Sequence, residues 1–287
     1  MSPVLEYAPT EERAYDFCAW EYEPLAPSKG RLRSASLLFH AFTVADSAPG
    51  MFDLVASIRR CFGMANTVWG VKQIDGVLKW EFYFYDYRRR QRERSMSKFI
   101  EILSPFTRCD LTVDESWDYF MFSVDIDNAL VTGTRSLDEI HVYIGNTGST
   151  VSSGICYSLV RDDKRLENFY FFFDAKREQD KIRNKAVCSV HFDETRFDVD
   201  QIIWPELRDC SVVVVANKSR NDGVYFSRIT VDQLSLFLER MGYPQHIRRF
   251  VHDHRSELSH LLYDVGFDYR VEEGRLKILK SGYYGIF

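Results

Sequence analysis

Residues 79–86 read KWEFYFYD, and the way this stretch divides into two faces decides the fold. Successive side chains of a strand point to opposite sides. Phe82 and Phe84 therefore share one face, and Lys79, Glu81, Tyr83 and Tyr85 share the other. The first face suits a hydrophobic core. The second carries two opposite charges and two phenols, too polar for a packed interior and too aromatic for an ordinary wet surface.

The same division recurs along the chain. NTVWGVKQIDGVLKWEFYFYDY reads as a hairpin with Asp75-Gly76 as its turn. WDYFMFSVDID and DEIHVYIG form the next strand pair, and GICYSLVRDDKRLENFYFFFD a third. CSVVVVANKSRNDGVYFSRI is a fourth, turning near Asn221-Asp222-Gly223, and FDYRVEEGRLKILKSGYYGIF a fifth. In their second strands Glu139, His141 and Tyr143 oppose Ile140, Val142 and Ile144. Asn168, Tyr170, Phe172 and Asp174 oppose Phe169, Phe171 and Phe173. Tyr225 and Ser227 oppose Val224 and Phe226, while Lys280, Gly282 and Tyr284 lie together.

The segments between the pairs read mostly as helices. MFDLVASIRRCFG is one, RRRQRERSMSKFIEIL a basic one, and residues 175–208 are mostly helical. VDQLSLFLERMG is the next, followed after Pro244 by QHIRRFVHDHRSELSHLLYDV. Residues 1–30 read as an N-terminal extension, a short helix and then a Pro-containing loop. RLRSASLLFHAFTVA reads as a strand over 32–44. No low-complexity linker divides the chain, so one domain over residues 1–287 is expected.

The composition excludes several classes. Hydrophobic residues make up 45% of the 287 and charged residues 28%, a soluble globular balance able to bury a sizeable core. The net charge of −5 offers nothing to nucleic acid. No apolar run nears the roughly 20 residues that span a bilayer. The N-terminus lacks a basic-then-apolar signal, and the six cysteines are scattered without CxxC spacing. A cytoplasmic protein with reduced, buried thiols is expected. HExxH, GxSxG, P-loop and GxGxxG patterns are all missing. His252 and His254 lack the partners that would make a metal site, DETRFDVDQ has the wrong spacing for an EF-hand, and RRRQRER suits a solvated face.

Two architectures explain a repeated polar-aromatic face. One is an open antiparallel sheet with helices on its apolar side and water on the other. The other is a closed barrel of about ten strands, helices outside and the mixed face inside, wide enough to hold a ligand.

Three short stretches carry a resemblance that favours the barrel. RLENFYF holds Asn168 and Tyr170 two residues apart, LKSGYYGIF places Lys280 just before a glycine and paired aromatics, and KWEFYF sets Glu81 on an early strand. Together these resemble the bacterial aromatic prenyltransferases of the ABBA-barrel type, over roughly residues 65–287 as an ordering of hairpins. The resemblance implies an α/β fold, a closed antiparallel barrel of hairpins ringed by helices. It implies that Asn168, Tyr170 and Lys280 face a prenyl diphosphate, and that His141 is the nearest match to an interior basic residue of the second hairpin. Val224 stands where some relatives carry Arg, so Lys218 or Arg228 would supply that charge. The sequence departs from the family between Tyr143 and Cys156, too short for the usual helix pair, and strand 32–44 has no place in the scheme.

Prenyl transfer to an aromatic ring needs three things. Cationic groups must receive the diphosphate leaving group, aromatic faces must shelter the allylic cation, and a base must take the ring proton. Lys280, Lys218 and Arg228 are the cationic candidates, with Lys79 and Lys72 behind them. Tyr83, Tyr143, Tyr170, Tyr225 and Tyr284 are the phenols that shield the cation and line the acceptor pocket. Glu81 takes the proton or orients the acceptor's OH or NH. Mg²⁺ is compatible with this chemistry, but no DDxxD-like cluster is present, and no other cofactor or metal site is expected. The expected partners are a prenyl diphosphate and an aromatic molecule or peptide side chain, bound by a monomer with no nucleic acid and no membrane. Each residue also has a plain structural reading: a solvated strand lysine, a strand-favouring tyrosine, a cross-strand Glu–Lys pair, a satisfied histidine or a core amide. A non-catalytic binding barrel would keep the aromatics without a convergent basic cluster. An open-sheet interaction module would use the Tyr-rich face for a partner.

Overall fold

The structure, a computed structural model, describes residues 4–18, 20–64, 67–86, 92–146, 149, 151–161 and 163–287. A two-stranded hairpin, β1 (Ala14–Tyr15) and β2 (Glu21–Tyr22), comes first, followed by helices α1 (Ala35–Val44) and α2 (Gly50–Phe62). The ten strands that follow are β3 (Thr67–Ile74), β4 (Val77–Tyr85), β5 (Tyr119–Ile126), β6 (Glu139–Gly145), β7 (Ser153–Val160), β8 (Asp163–Asp174), β9 (Val212–Lys218), β10 (Asp222–Ile229), β11 (Tyr263–Glu272) and β12 (Arg275–Ile286). Each pairs antiparallel with the next, and β12 returns to β3, so the sheet closes into a ten-stranded barrel. Closure removes the edges, and of the two architectures open to the sequence the barrel is the one found.

The two ends of the barrel differ. At one end strands are joined by short turns, such as Asp75-Gly76, where φ of 49° and 79° suits the tight hairpin that the sequence suggested; α4 (Asn128–Val131) lies there too. At the other end the chain makes its long excursions through α3 (Met96–Leu103), α5 (Gln179–Val187), α6 (Val231–Arg240), α7 (Gln245–Asp253) and α8 (Arg255–Leu258).

Outer strand residues and the helices share the main core. Phe82 and Phe84 are fully buried, and Phe84 stacks on Phe122 with centroids 4.9 Å apart and meets Phe99 of α3 at 4.7 Å. Met51, Leu54, Val55, Ile58 and Phe62 form the buried stripe of α2, the i, i+3, i+4, i+7 spacing of one helix face. A capping box between Thr230 and Gln233 starts α6.

Several expectations change. Residues 32–44 are not a strand: 35–44 form α1, buried through Leu37, Leu38, Phe39, Ala41 and Phe42. A mostly apolar stretch, broken only by Ser36, His40 and Thr43, carries a weak period, and this one lacks the β-branched richness of a strand. The N-terminal extension holds the β1–β2 hairpin in place of a short helix. Residues 175–208 contain one α-helix and two short 3₁₀ turns, the rest being irregular. The basic helix starts only at Met96, capped by Ser95; of RRRQRER, residues 88–91 lie outside the described residues, while Arg92 pairs with Asp86 and sits 3.7 Å over the Tyr119 ring. Among the described residues no helix links β6 to β7, as the short spacing implied, and nearby Leu166 and Phe169 of β8 are exposed. The six cysteines are unpaired, but Cys61 and Cys188 are exposed. No helix among the described residues is long and apolar enough to cross a membrane.

Candidate functional site

The strand register carries the second face of KWEFYFYD around the inside of the barrel. Glu81 lies opposite Gly70 and Asp125, Tyr83 opposite Ser123, Ser123 opposite His141, Asn168 opposite Lys218, and Asp268 opposite both Gly223 and Lys280. Paired residues share a face, so these side chains share the lumen.

Charge gathers in a layer toward the turn end. Lys280 and Lys218 converge on one carboxylate, Asp268, at 3.2 and 2.8 Å. On the neighbouring strands β3 and β4, Lys72 bonds Glu81 at 3.0 Å and also Asp125 on β5. Ser123 Oγ donates to Glu81 at 2.6 Å. Burial alone would raise the Asp268 carboxyl, but Lys218 and Lys280 outweigh it and hold it down at about 2. Glu81 behaves alike: burial opposes ionisation, yet Lys72, His141 and Lys280 keep it well below the usual carboxylate range. Burial lowers Lys218, with Asp268 opposing, whereas the two carboxylates beside Lys72 overcome its burial and raise it. Counted as ions, three lysines face three carboxylates, so the ligand-free layer is close to neutral.

Rings gather toward the helix end. A cavity of about 290 Å³ is lined by Tyr83, Tyr143, Tyr170, Phe172 and Tyr225 among others. The phenols join the two layers: Tyr225 donates to Asp268 at 3.3 Å, Tyr143 meets Ser123 Oγ at 3.2 Å, and Asn168 donates to the Tyr170 hydroxyl at 3.1 Å. Burial pushes all five phenols of the site, Tyr284 included, well above their usual range, so they stay protonated donors at neutral pH. Glycines make room for the rings. A Cβ on Gly266 would stand 2.1 Å from Tyr225, and one on Gly70 2.7 Å from Tyr284.

The structure thus brings together Glu81, Lys280, Lys218, Asn168, Tyr170, Tyr83, Tyr143, Tyr225 and Tyr284. His141 is near, 3.7 Å from Glu139. Lys79 is exposed, at a wider depression at the turn-end mouth. Arg228 does not belong to this group. A bulge between Ser227 and Ile229 and a φ of 65° turn it toward Asp16, which it meets at 2.6 Å. Alternation already sets Arg228 on the face opposite Tyr225 and Ser227. Lys72, a secondary candidate, is the central cation of one half. Asp268 was missed, although GFDYR shows it by the alternation that reveals Glu81.

The helix end is stoppered by the β1–β2 hairpin. Phe17 enters the lumen and stacks on Tyr284, with centroids 4.5 Å apart, and stands edge-on to Tyr83 at 4.8 Å. Its N–H donates to Asp264, which also accepts from the Arg228 N–H at 2.8 Å. Burial pushes both Asp16 and Asp264 up, the latter well above its ordinary value with the nearby Asp16 charge adding to it; Arg228 meets Asp16 through its guanidinium and Asp264 through its backbone N–H.

No protein-family model matches the sequence, and no curated protein matches it.

Proposed function

We propose that the lumen is the active site of an aromatic prenyltransferase, moving a dimethylallyl or geranyl group from its diphosphate to an electron-rich ring. The observation that carries this reading is the layering: Lys218, the half-buried Lys280 and phenol hydroxyls meet around the buried Asp268, directly below a chamber of tyrosine rings. The diphosphate exchanges with Asp268 for Lys280 and Lys218, with Tyr225 and Asn168 as added donors. The C–O bond breaks with its electron pair staying on the diphosphate, whose growing charge these fixed donors stabilise. The allylic cation is held against the faces of Tyr83, Tyr143, Tyr170, Tyr225 and Tyr284. A ring carbon of the acceptor then bonds to it, and the ring proton leaves to Glu81 or to the departed diphosphate.

Glu81 is a weak base while Lys72 and Ser123 hold it. A protonated arene is so acidic that a weak base suffices, and the carboxylate also suits orientation of the acceptor's OH or NH. Mg²⁺ commonly sits between a diphosphate and one or two carboxylates, a part Asp268 fits. Among the described residues no cluster of three metal-ligating side chains stands ready by itself. The acceptor is a phenol, naphthalene, indole, phenazine or peptide aromatic, and a larger one enters beside Gly145 and Gly154, which line the cavity. Unpaired thiols, two of them exposed, suit a reducing compartment such as the cytoplasm.

One observation favours a second reading, a non-catalytic binding barrel: each lumen lysine already has a carboxylate partner. Incubation with geranyl or dimethylallyl diphosphate and a panel of such acceptors, read by mass spectrometry, separates the two. A prenylated product that disappears in Lys280→Ala is the expected result. Diphosphate binding without transfer to any acceptor leaves the binding barrel.

A further inference from the structure

With Phe17 in place the chamber is at the lower end of the range for a single ligand. Ligand pockets run from roughly 300 Å³ upward for one drug-sized molecule, and this cavity has about 290 Å³. It admits one modest ligand, yet a prenyl chain and an acceptor ring must lie side by side. Phe17 fills the remaining space. Its ring is stacked on Tyr284 at 4.5 Å, edge-on to Tyr83 at 4.8 Å and 6.3 Å from Tyr225, an aromatic guest's place among three tyrosines.

The hairpin that carries Phe17 is short and lies outside the barrel ladder. Its strands are two residues each and form their own sheet. Among its polar attachments to the barrel, Arg228 grips Asp16 at 2.6 Å and the carbonyls of Trp20 and Glu21 at 3.3 and 3.2 Å. Asp264 takes the Phe17 N–H, and the Tyr22 hydroxyl bonds the backbone of Leu262 at 2.7 and 3.1 Å. Cys18 lies 3.4 Å from Ser227 at the same rim. Arg228 is held in a left-handed conformation to make this grip, a strained state kept by its surroundings.

We propose that Phe17 stands in for the aromatic substrate: the hairpin closes the barrel with its own ring, and a planar aromatic ligand binds by displacing it. The hairpin is then a strap whose release opens the acceptor half of the lumen. The proposal rests on the prenyltransferase reading only for what the second ligand does; its test needs neither a prenyl diphosphate nor turnover.

The test uses the full chain with 1-naphthol as the probe. Labelling of Cys18 by N-ethylmaleimide, mapped by mass spectrometry, reports strap opening. Saturating 1-naphthol is expected to speed that labelling severalfold, and Arg228→Ala to speed it without any ligand. Phe17→Ala removes the internal competitor and leaves every backbone anchor, so 1-naphthol is expected to bind about tenfold more tightly, the cost of emptying the site having been removed. Cys18 labelling unchanged by bound 1-naphthol would overturn the proposal, as would Phe17→Ala binding it no better than wild type. A displaceable strap in a protein that ignores prenyl diphosphates would leave this inference standing and remove the reaction.

Discussion

The two halves of the lumen hold their side chains in different ways. In the charged layer each lysine has a carboxylate: Lys72 has Glu81 and Asp125, while Lys218 and Lys280 share Asp268. In the chamber the rings touch mainly one another and Phe17. Buried ions are expensive to separate, whereas one ring is readily exchanged for another. The charged half therefore accepts an anion only by exchange with a carboxylate, and the aromatic half accepts a ring by substitution. On the proposed function, the difference teaches that affinity for a diphosphate would be set by how tightly Asp268 competes, and choice of acceptor by how the chamber and the β1–β2 hairpin are shaped.

The sharpest way to break this contrast is to remove one ion. Lys72→Met leaves Glu81 buried without its main partner, and a loss of about 3–5 kcal/mol is expected in urea unfolding. A loss near that of an exposed ion pair would show that the layer is wetter and looser than described. Asp268→Asn removes the competitor for two lysines. The variant is expected to be less stable than wild type, yet to gain more in melting temperature from added pyrophosphate. An equal or smaller gain would mean that Asp268 does not compete with the anion.

Acid sharpens the same half. The folded-state pKa values of Asp268, about 2, and Glu81 lie below their unfolded values. The stability they contribute is complete above about pH 5; that of Asp268, roughly 2 kcal/mol, is lost as pH falls through about 2, and that of Glu81 at still lower pH. The unfolding free energy of Asp268→Asn should fall less steeply across that window; parallel curves would contradict the assigned cause.

In the aromatic half, Gly266→Ala drives a methyl into the Tyr225 ring and should cost about 1–3 kcal/mol by overpacking. Adding Tyr225→Leu should restore part of it, a coupling that a double-mutant cycle reads directly. The smallest effect belongs to Lys79, exposed at the mouth, where Lys79→Ala should change stability by less than about 0.5 kcal/mol.

The barrel was legible because its inner and outer faces differ in kind. Phe82 and Phe84 against Glu81 and Tyr83 gives a period of two that no helix reproduces, and β6, β8 and β12 repeat it. The same signal in GFDYR marks Asp268, but a search for cations to meet a leaving group does not single out a carboxylate. Helix α1 was hidden because its few polar residues, Ser36, His40 and Thr43, leave apolar side chains on nearly every side and so only a weak period to read. The strap was hidden for another reason: Phe17 is placed by Asp264, 247 residues away in sequence, and by rings on three strands, with no local pattern to announce it. Arg228 misled as a bare charge, since its bulge and left-handed backbone redirect it to Asp16.

The central claim is that the lysine layer receives a prenyl diphosphate. Calorimetric titration with dimethylallyl and geranyl thiodiphosphate, with and without Mg²⁺, tests it in wild type beside Lys280→Ala. The account predicts micromolar binding that is lost in Lys280→Ala, while that variant still binds 1-naphthol. No binding to the wild-type protein under either condition, or binding untouched by Lys280→Ala, would contradict it.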